Sequence, residues 1–398
     1  MSDRPVQTKR YFNLFQILRA VAFLVVYTYH NIDTYEACKW AVCVFLVLSG
    51  FLDIYHGYDR YLPTVLKGCF EHGRKKIAGL YIIHVITTLW AFALYISSRT
   101  AELASRAPVS IVETVVKLLS NITLTSDLVP SVGRLQPYFS EYNIASWYLS
   151  LCFVIYICLP VIIRTMHKIY GDASDGRSAA TSDFRRPIIV IACIFIFTLA
   201  LNLIHVRIFG RDGAFWYNYE SPLSRIGDYL IGAQLGYMYR VRSTRQEVAA
   251  GSEAATAIGP AKARTLTVFA LTAVINLAVF IACFKFDASL IWLASSGFYF
   301  SIPAACLIWC IAVLEEHVHV PTDAKALKPV MTLGAISGYA YLIHVPVINT
   351  VHGIYKRLGE VNLVVWTAIS FTLTIILALI ARRVLSKNAK VFRAASEK

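Results

Sequence analysis

Residues 16–30 read QILRAVAFLVVYTYH, an apolar run that carries an arginine near its start and a histidine at its end. Its length and apolarity predict a helix able to cross a bilayer, for which roughly 20 mostly apolar residues are needed. Arg19 and His30 are eleven positions apart. Eleven residues make three helical turns plus about 20°, so both side chains leave one face, roughly 16 Å apart along the axis. An ionisable group deep in a bilayer costs roughly 2.5–3.5 kcal/mol on insertion scales, so that face turns either into the bundle or toward a wet cavity. The plainer alternative has Arg19 reaching back to the nearer surface and His30 resting at the interface. The run contains Arg19 and no small-residue cleavage site, so it reads as an anchored span and not as a cleaved signal.

The rest of the chain repeats the pattern. Hydrophobic residues make up 57% of the 398 positions and charged residues 16%, where a soluble chain carries about a quarter charged. Apolar blocks predict ten transmembrane helices, near 13–31, 39–55, 77–97, 146–163, 187–206, 223–239, 265–284, 291–314, 333–350 and 362–381. The segment SIVETVVKLLSNITLT at 110–125 places Glu113 and Lys117 on one helical face. It reads as an interfacial or re-entrant helix. With ten spans and a cytoplasmic N-terminus, most of the 38 Lys and Arg residues fall in the inward segments, and the C-terminus is cytoplasmic too. The fold class expected is therefore all-α, a polytopic membrane bundle forming a single domain over 1–398 with no appended soluble domain. The connections 164–186 and 240–264 read as flexible linkers, and 98–145 as an outer piece able to cover a site.

The net charge of +14 is read as membrane topology and not as nucleic-acid binding, since no nucleic-acid motif is present. Nine scattered cysteines without a metal-type spacing read as small buried hydrophobes. His317 and His319 lack a partnering carboxylate cluster, so no metal is expected.

Further polar residues interrupt the spans. WAVCVFLVLSGFLDIY at 40–55 brings Ser49-Gly50 near mid-membrane, where small residues permit close helix approach. Arg74, Lys75 and Lys76 end an inward loop, as a topology anchor or as a phosphate-binding patch. Arg225 and Asp228, three apart, are able to neutralise each other within the membrane. Tyr341 and His344 are likewise three apart in the segment 333–350.

Taken in order, these landmarks resemble the acyltransferase-3 family of membrane-integral enzymes. The resemblance is carried by Leu18-Arg19-Ala20 with His30, VFLVLSGFL at 44–52, and Arg74-Lys75-Lys76 leading to Tyr81. It continues through SWYL at 146–149, SPLSRIGDYLIGAQLG at 221–236 and LGAISGYAYLIHVPV at 333–347. Two departures stand out: Cys152 occupies the place where many members have a glutamate, and Gly79-Leu80 precede Tyr81 where a proline is frequent.

The resemblance implies acetyl-CoA or another acyl-CoA as the donor, entering from the cytoplasm. It implies a hydroxyl on a glycan or lipid-linked saccharide as the acceptor, and a bacterial inner membrane as the location. It leaves room for a homo-oligomer or partners in polysaccharide synthesis. His30 would act as general base or as a transient acyl carrier, with Arg19 and Ser49 beside it. Arg19, Arg74, Lys75 and Lys76 would hold the donor phosphates, and Trp147, Arg225, Asp228, Tyr341 and His344 would shape the acceptor site. A transporter or flippase for a glycan or anionic solute needs a similar polar interior, but no internal repeat supports it.

Overall fold

A computed structural model describes residues 10–32, 35–60, 62–105, 107–171, 183–250, 267–268, 270–278, 298–318, 320–322, 324–358 and 362–396. Eleven α-helices are delimited among them: α1 (Leu14–Ile32), α2 (Tyr35–Gly57), α3 (Leu66–Ser105), α4 (Ala107–Ile122), the one-turn α5 (Gln136–Phe139), α6 (Trp147–Tyr170), α7 (Arg185–Phe215), α8 (Pro222–Ala250), α9 (Ser301–Leu314), α10 (Lys328–Leu358) and α11 (Leu363–Ser396). No strand occurs among the described residues.

Six stretches are long and apolar enough to cross a membrane: Cys38–Gly57, Leu66–Arg99, Ile144–Tyr170, Arg185–Gly210, Lys328–Leu358 and Leu363–Leu385. Their outward faces are apolar. Ile188, Ile196 and Phe197 on α7 and Val364 on α11 are among many large hydrophobic side chains left exposed. Such a surface would be costly in water and is at home in lipid, so the chain is an integral membrane protein. α1 is a continuous helix with the length for a span, at 19 residues, but its polar side chains leave it less apolar than these six. Of the expected span 265–284, residues 270–278 are helical and most of the remainder lies outside the described residues; of 291–314, the described part is a shorter apolar helix, Phe298–Leu314.

α2 is the buried centre of the bundle, 78% of its apolar window being covered, against 17% for α7 and 22% for α11. It packs most extensively on α8, while α1 packs on α10. Glycine makes the α2–α8 approach possible: a Cβ on Gly50 would lie 2.0 Å from the Tyr229 carbonyl, and one on Gly232 would lie 1.9 Å from that of Val47. Small residues of this kind let two backbones meet without a side chain between them.

The structure corrects three expectations about connections. Arg74, Lys75 and Lys76 sit inside α3 and not at the end of a loop. Residues 240–250 continue α8, because Arg240 donates to the Tyr55 carbonyl and pairs with Asp59 while Arg242 pairs with Glu316 at 3.0 Å. Residues 164–170 continue α6 in the same way, with His167 bonded to the Tyr58 carbonyl at 2.8 Å.

α4 is amphipathic as expected, with Ile111, Val112, Val115 and Leu119 exposed on one side. Its Lys117 turns to the other side, over the rings of Tyr95 and Tyr142.

Candidate functional site

A cavity of about 320 Å³ opens between α1, α2, α3, α6 and α10. Arg19, Ser49, Lys76, Tyr148, Cys152, Tyr156, Ser337 and Tyr341 contribute to its lining. Arg19 faces into it because the rest of the α1 turn is apolar and packed: Leu18, Ala20 and Ala22 are buried. Around Arg19 the electrostatic neighbours are Tyr156, Tyr148 and Asp53. Ser49 donates to the Phe45 carbonyl at 2.7 Å and also bonds Tyr156, which fixes that ring across the cavity. Cys152 bonds Tyr148 and borders the same space.

The basic triplet is divided. Lys76 lines the cavity and is paired with Asp53, which also accepts from the Tyr229 hydroxyl at 3.0 Å. Arg74 and Lys75 point outward, and Lys75 pairs with Glu71 one turn earlier at 3.1 Å. Consecutive residues on a helix leave it about 100° apart, so three neighbours do not share one face. A second cavity of about 390 Å³ is lined by Asp59, Arg60, Thr64, Arg164 and His167. Arg164 donates to Thr64 there at 2.6 Å.

At the other end of the cavity stand Tyr341 and Leu342. Beyond them His30 and His344 approach with ring centroids 4.8 Å apart, and the Tyr341 ring is 5.8 Å from that of His344. Nδ1 of His344 lies 2.7 Å from the Tyr341 carbonyl. A ring nitrogen facing a carbonyl carries the proton, so Nε2 of the neutral ring presents its lone pair. That Nε2 is buried without a hydrogen-bond partner among the described residues. His30 is only partly covered.

This corner is held by a bond that the sequence reading did not identify. Pro346 has no N–H, so the Leu342 carbonyl one turn earlier lacks its helical donor. The fully buried Asn143 supplies one from its side chain at 2.8 Å. Its position just before SWYL is the signal that was available. Asp53 was missed too, although an acidic residue in the apolar run 40–55 is a site candidate by the same rule that selected Arg19.

Trp147, Arg225 and Asp228 lie outside the cavity lining. Trp147 packs against Tyr219 with centroids 5.0 Å apart. Arg225 and Asp228 are fully buried and paired at 2.9 Å; Ser301 donates to Asp228, and Arg225 reaches Cys43 at 3.6 Å. They tie α8 to α2 and α9. The eight described cysteines are free. Among the described residues no group of His, Cys, Asp and Glu comes together as a metal site, and His319 lies outside them.

Three carboxylates gather where the segments between α4, α6 and α8 meet. Asp127 follows α4, Glu141 precedes α6, and Glu220 ends a π-helical turn, Trp216–Glu220. Burial, reinforced by the other two, raises the Asp127 carboxyl well above its usual range. Burial is likewise the first cause for Glu141, pushed up to about 7, and for Glu220, pushed up to about 8 with Glu141 adding to it.

The chain matches the acyltransferase domain of the acyltransferase-3 type over residues 13–383, nearly its whole length, and it belongs to that family. No curated protein and no solved structure matched it. It is a membrane acyltransferase in general class.

Proposed function

We propose that this protein moves an acyl group, acetyl being expected, from cytoplasmic acyl-CoA to a hydroxyl of a cell-surface or lipid-linked glycan. One observation carries the reading: a single cavity is lined by Lys76, Arg19 and Tyr341, and the Tyr341 ring stands 5.8 Å from that of His344, which in turn is 4.8 Å from that of His30.

In this reading the Lys76 end faces the cytoplasm of a bacterial inner membrane. The phosphates of the donor dock at Lys76, with Arg60 and Arg164 of the second cavity close to the same end. Arg74 and Lys75, exposed, contribute as a surrounding positive field. The pantetheine arm extends along the cavity past Arg19, which offers a fixed guanidinium to negative charge on the donor.

His30 takes the proton from the acceptor hydroxyl as the oxygen attacks the thioester carbonyl. The C–S bond then breaks, and the proton held by His30 passes to the departing thiolate. His344 steadies the imidazolium: its Nδ1 is committed to the Tyr341 carbonyl, so its Nε2 lone pair is free to receive an N–H from His30. Tyr341 closes the cavity between donor and His30, so its ring must swing for the thioester to arrive. Ser49 acts by holding Tyr156, and Arg225 with Asp228 acts by holding α2 and α8 together.

The test is acetyl-CoA binding to purified full-length protein, wild type beside Arg19→Ala, followed by transfer assays on His30→Ala. Saturable binding that Arg19→Ala loses, with transfer lost in His30→Ala, supports the reading. Folded wild-type protein that binds no acyl-CoA overturns it.

A further inference from the structure

The acyl-transfer scheme leaves Asp127, Glu141 and Glu220 without a task. They come from separate segments and converge beside Tyr341, whose electrostatic neighbours include both Asp127 and Glu220. Asp127 is 1% exposed, and neither of its carboxylate oxygens has a hydrogen-bond partner among the described residues. Glu141 accepts from Ser126 and lies within reach of Lys117, yet its Oε1 is also unpartnered. Beside Tyr341, the electrostatic neighbours of Asp127 and Glu220 are carboxylates, and no cation is among them.

Buried carboxylates are normally hydrogen-bonded and paired, because an unpaired one is among the costliest groups to hold away from water. Here two deficits coincide: oxygens without donors at Asp127 and Glu141, and acidic groups without a cationic neighbour at Asp127 and Glu220. A metal ion does not account for the group, since these side chains do not come close enough together to coordinate one. A ligand larger than a metal ion is then needed to meet all three. Hydroxyls alone would meet the first deficit and not the second, whereas an ammonium or alkylammonium group meets both. Aromatic rings stand nearby: Tyr148 lies 5.4 Å from Tyr341, and Trp147 lies 6.0 Å from Tyr148.

We infer that Asp127, Glu141 and Glu220 form the acceptor subsite, and that the acceptor recognised there carries a cationic amine near the hydroxyl to be acylated. The word acceptor rests on the acyltransferase reading; the preference for a cation does not. The amine sits between Asp127 and Glu220, and its hydroxyl reaches past Tyr341 toward His30.

A matched pair of probes tests this: choline, a permanent cation with a hydroxyl, and 3,3-dimethylbutan-1-ol, its neutral isostere. Binding of each to the protein in detergent is measured by calorimetry at about pH 9, above the values of about 7 and about 8 to which Glu141 and Glu220 are raised. Acetyl-CoA binding is measured on the same samples. Choline is expected to bind saturably and the isostere at least about tenfold more weakly, the difference being the charge. Asp127→Asn and Glu220→Gln, two independent variants, are each expected to weaken choline about tenfold or more while acetyl-CoA binding persists. Equal binding of the two probes, or no choline binding by protein that binds acetyl-CoA, overturns the inference and leaves the acyltransferase reading standing. Choline selectivity without acetyl-CoA binding upholds the cation subsite and removes the acyltransferase reading.

Discussion

His30 and His344 hold their imidazole rings 4.8 Å apart although they belong to the first and the tenth helices delimited in the chain. The contact follows from the packing of α1 on α10, where Gly334 lets the two backbones meet: a Cβ there would lie 1.9 Å from the Gln16 carbonyl. His344 is oriented by its own helix, through the Tyr341 carbonyl, and its ring stands beside that of His30.

His344→Gln is therefore expected to lower kcat by about 100-fold, with KM within about twofold of wild type, because it removes a group that acts on the proton-transfer step. Steady-state kinetics of the purified variant decide this. A change confined to KM would assign His344 to binding.

Lys76→Met is expected to weaken acetyl-CoA binding by about tenfold, while Arg74→Met and Lys75→Met each change it by about twofold or less. The reason is geometric: Lys76 lines the cavity and the other two face outward. Equal effects at all three positions would return the triplet to a diffuse electrostatic role.

Asn143→Leu is expected to destabilise the folded protein by about 1–3 kcal/mol, because it leaves the Leu342 carbonyl buried without a donor. Pro346→Ala restores an N–H at the helical position that serves that carbonyl. The double variant is expected to recover part of the loss, and thermal unfolding of the four proteins in the cycle measures the recovery. Simple additivity would show that the bond is not the cause.

The carboxylates give stability a pH dependence of definite sign. Glu141 and Glu220 are raised to about 7 and about 8, so between the usual carboxylate range and those values the folded state binds more protons than the unfolded chain. Their contribution is full below that range and declines as pH rises toward about 8. The thermal midpoint should fall between about pH 5 and pH 8, and fall less in Glu220→Gln. An unchanged slope in the variant would exclude Glu220 as its source.

Gly50→Val should abolish accumulation of folded protein, since any side chain there meets the Tyr229 backbone within 2.0 Å. Detergent gel filtration of the variant checks it. A normal profile would mean that α2 and α8 separate without penalty.

The sequence by itself determined the class of structure, because burial in lipid forces long apolar helices whose periodicity is local. It also singled out Arg19, Ser49, Lys76, Tyr341 and His344, since a polar group is conspicuous against an apolar run. The tertiary structure decided which of these share a space. Arg225 and Asp228 looked like cavity residues and are an internal tie, because α8 turns them toward α2 and α9. Arg74 and Lys75 parted from Lys76 once the loop proved to be helix. Asp127, Glu141, Glu220 and Asn143 lie in irregular segments without periodicity, and their burial comes from contacts distant in sequence. Local pattern reports which way a helix faces, and only packing reports what it faces.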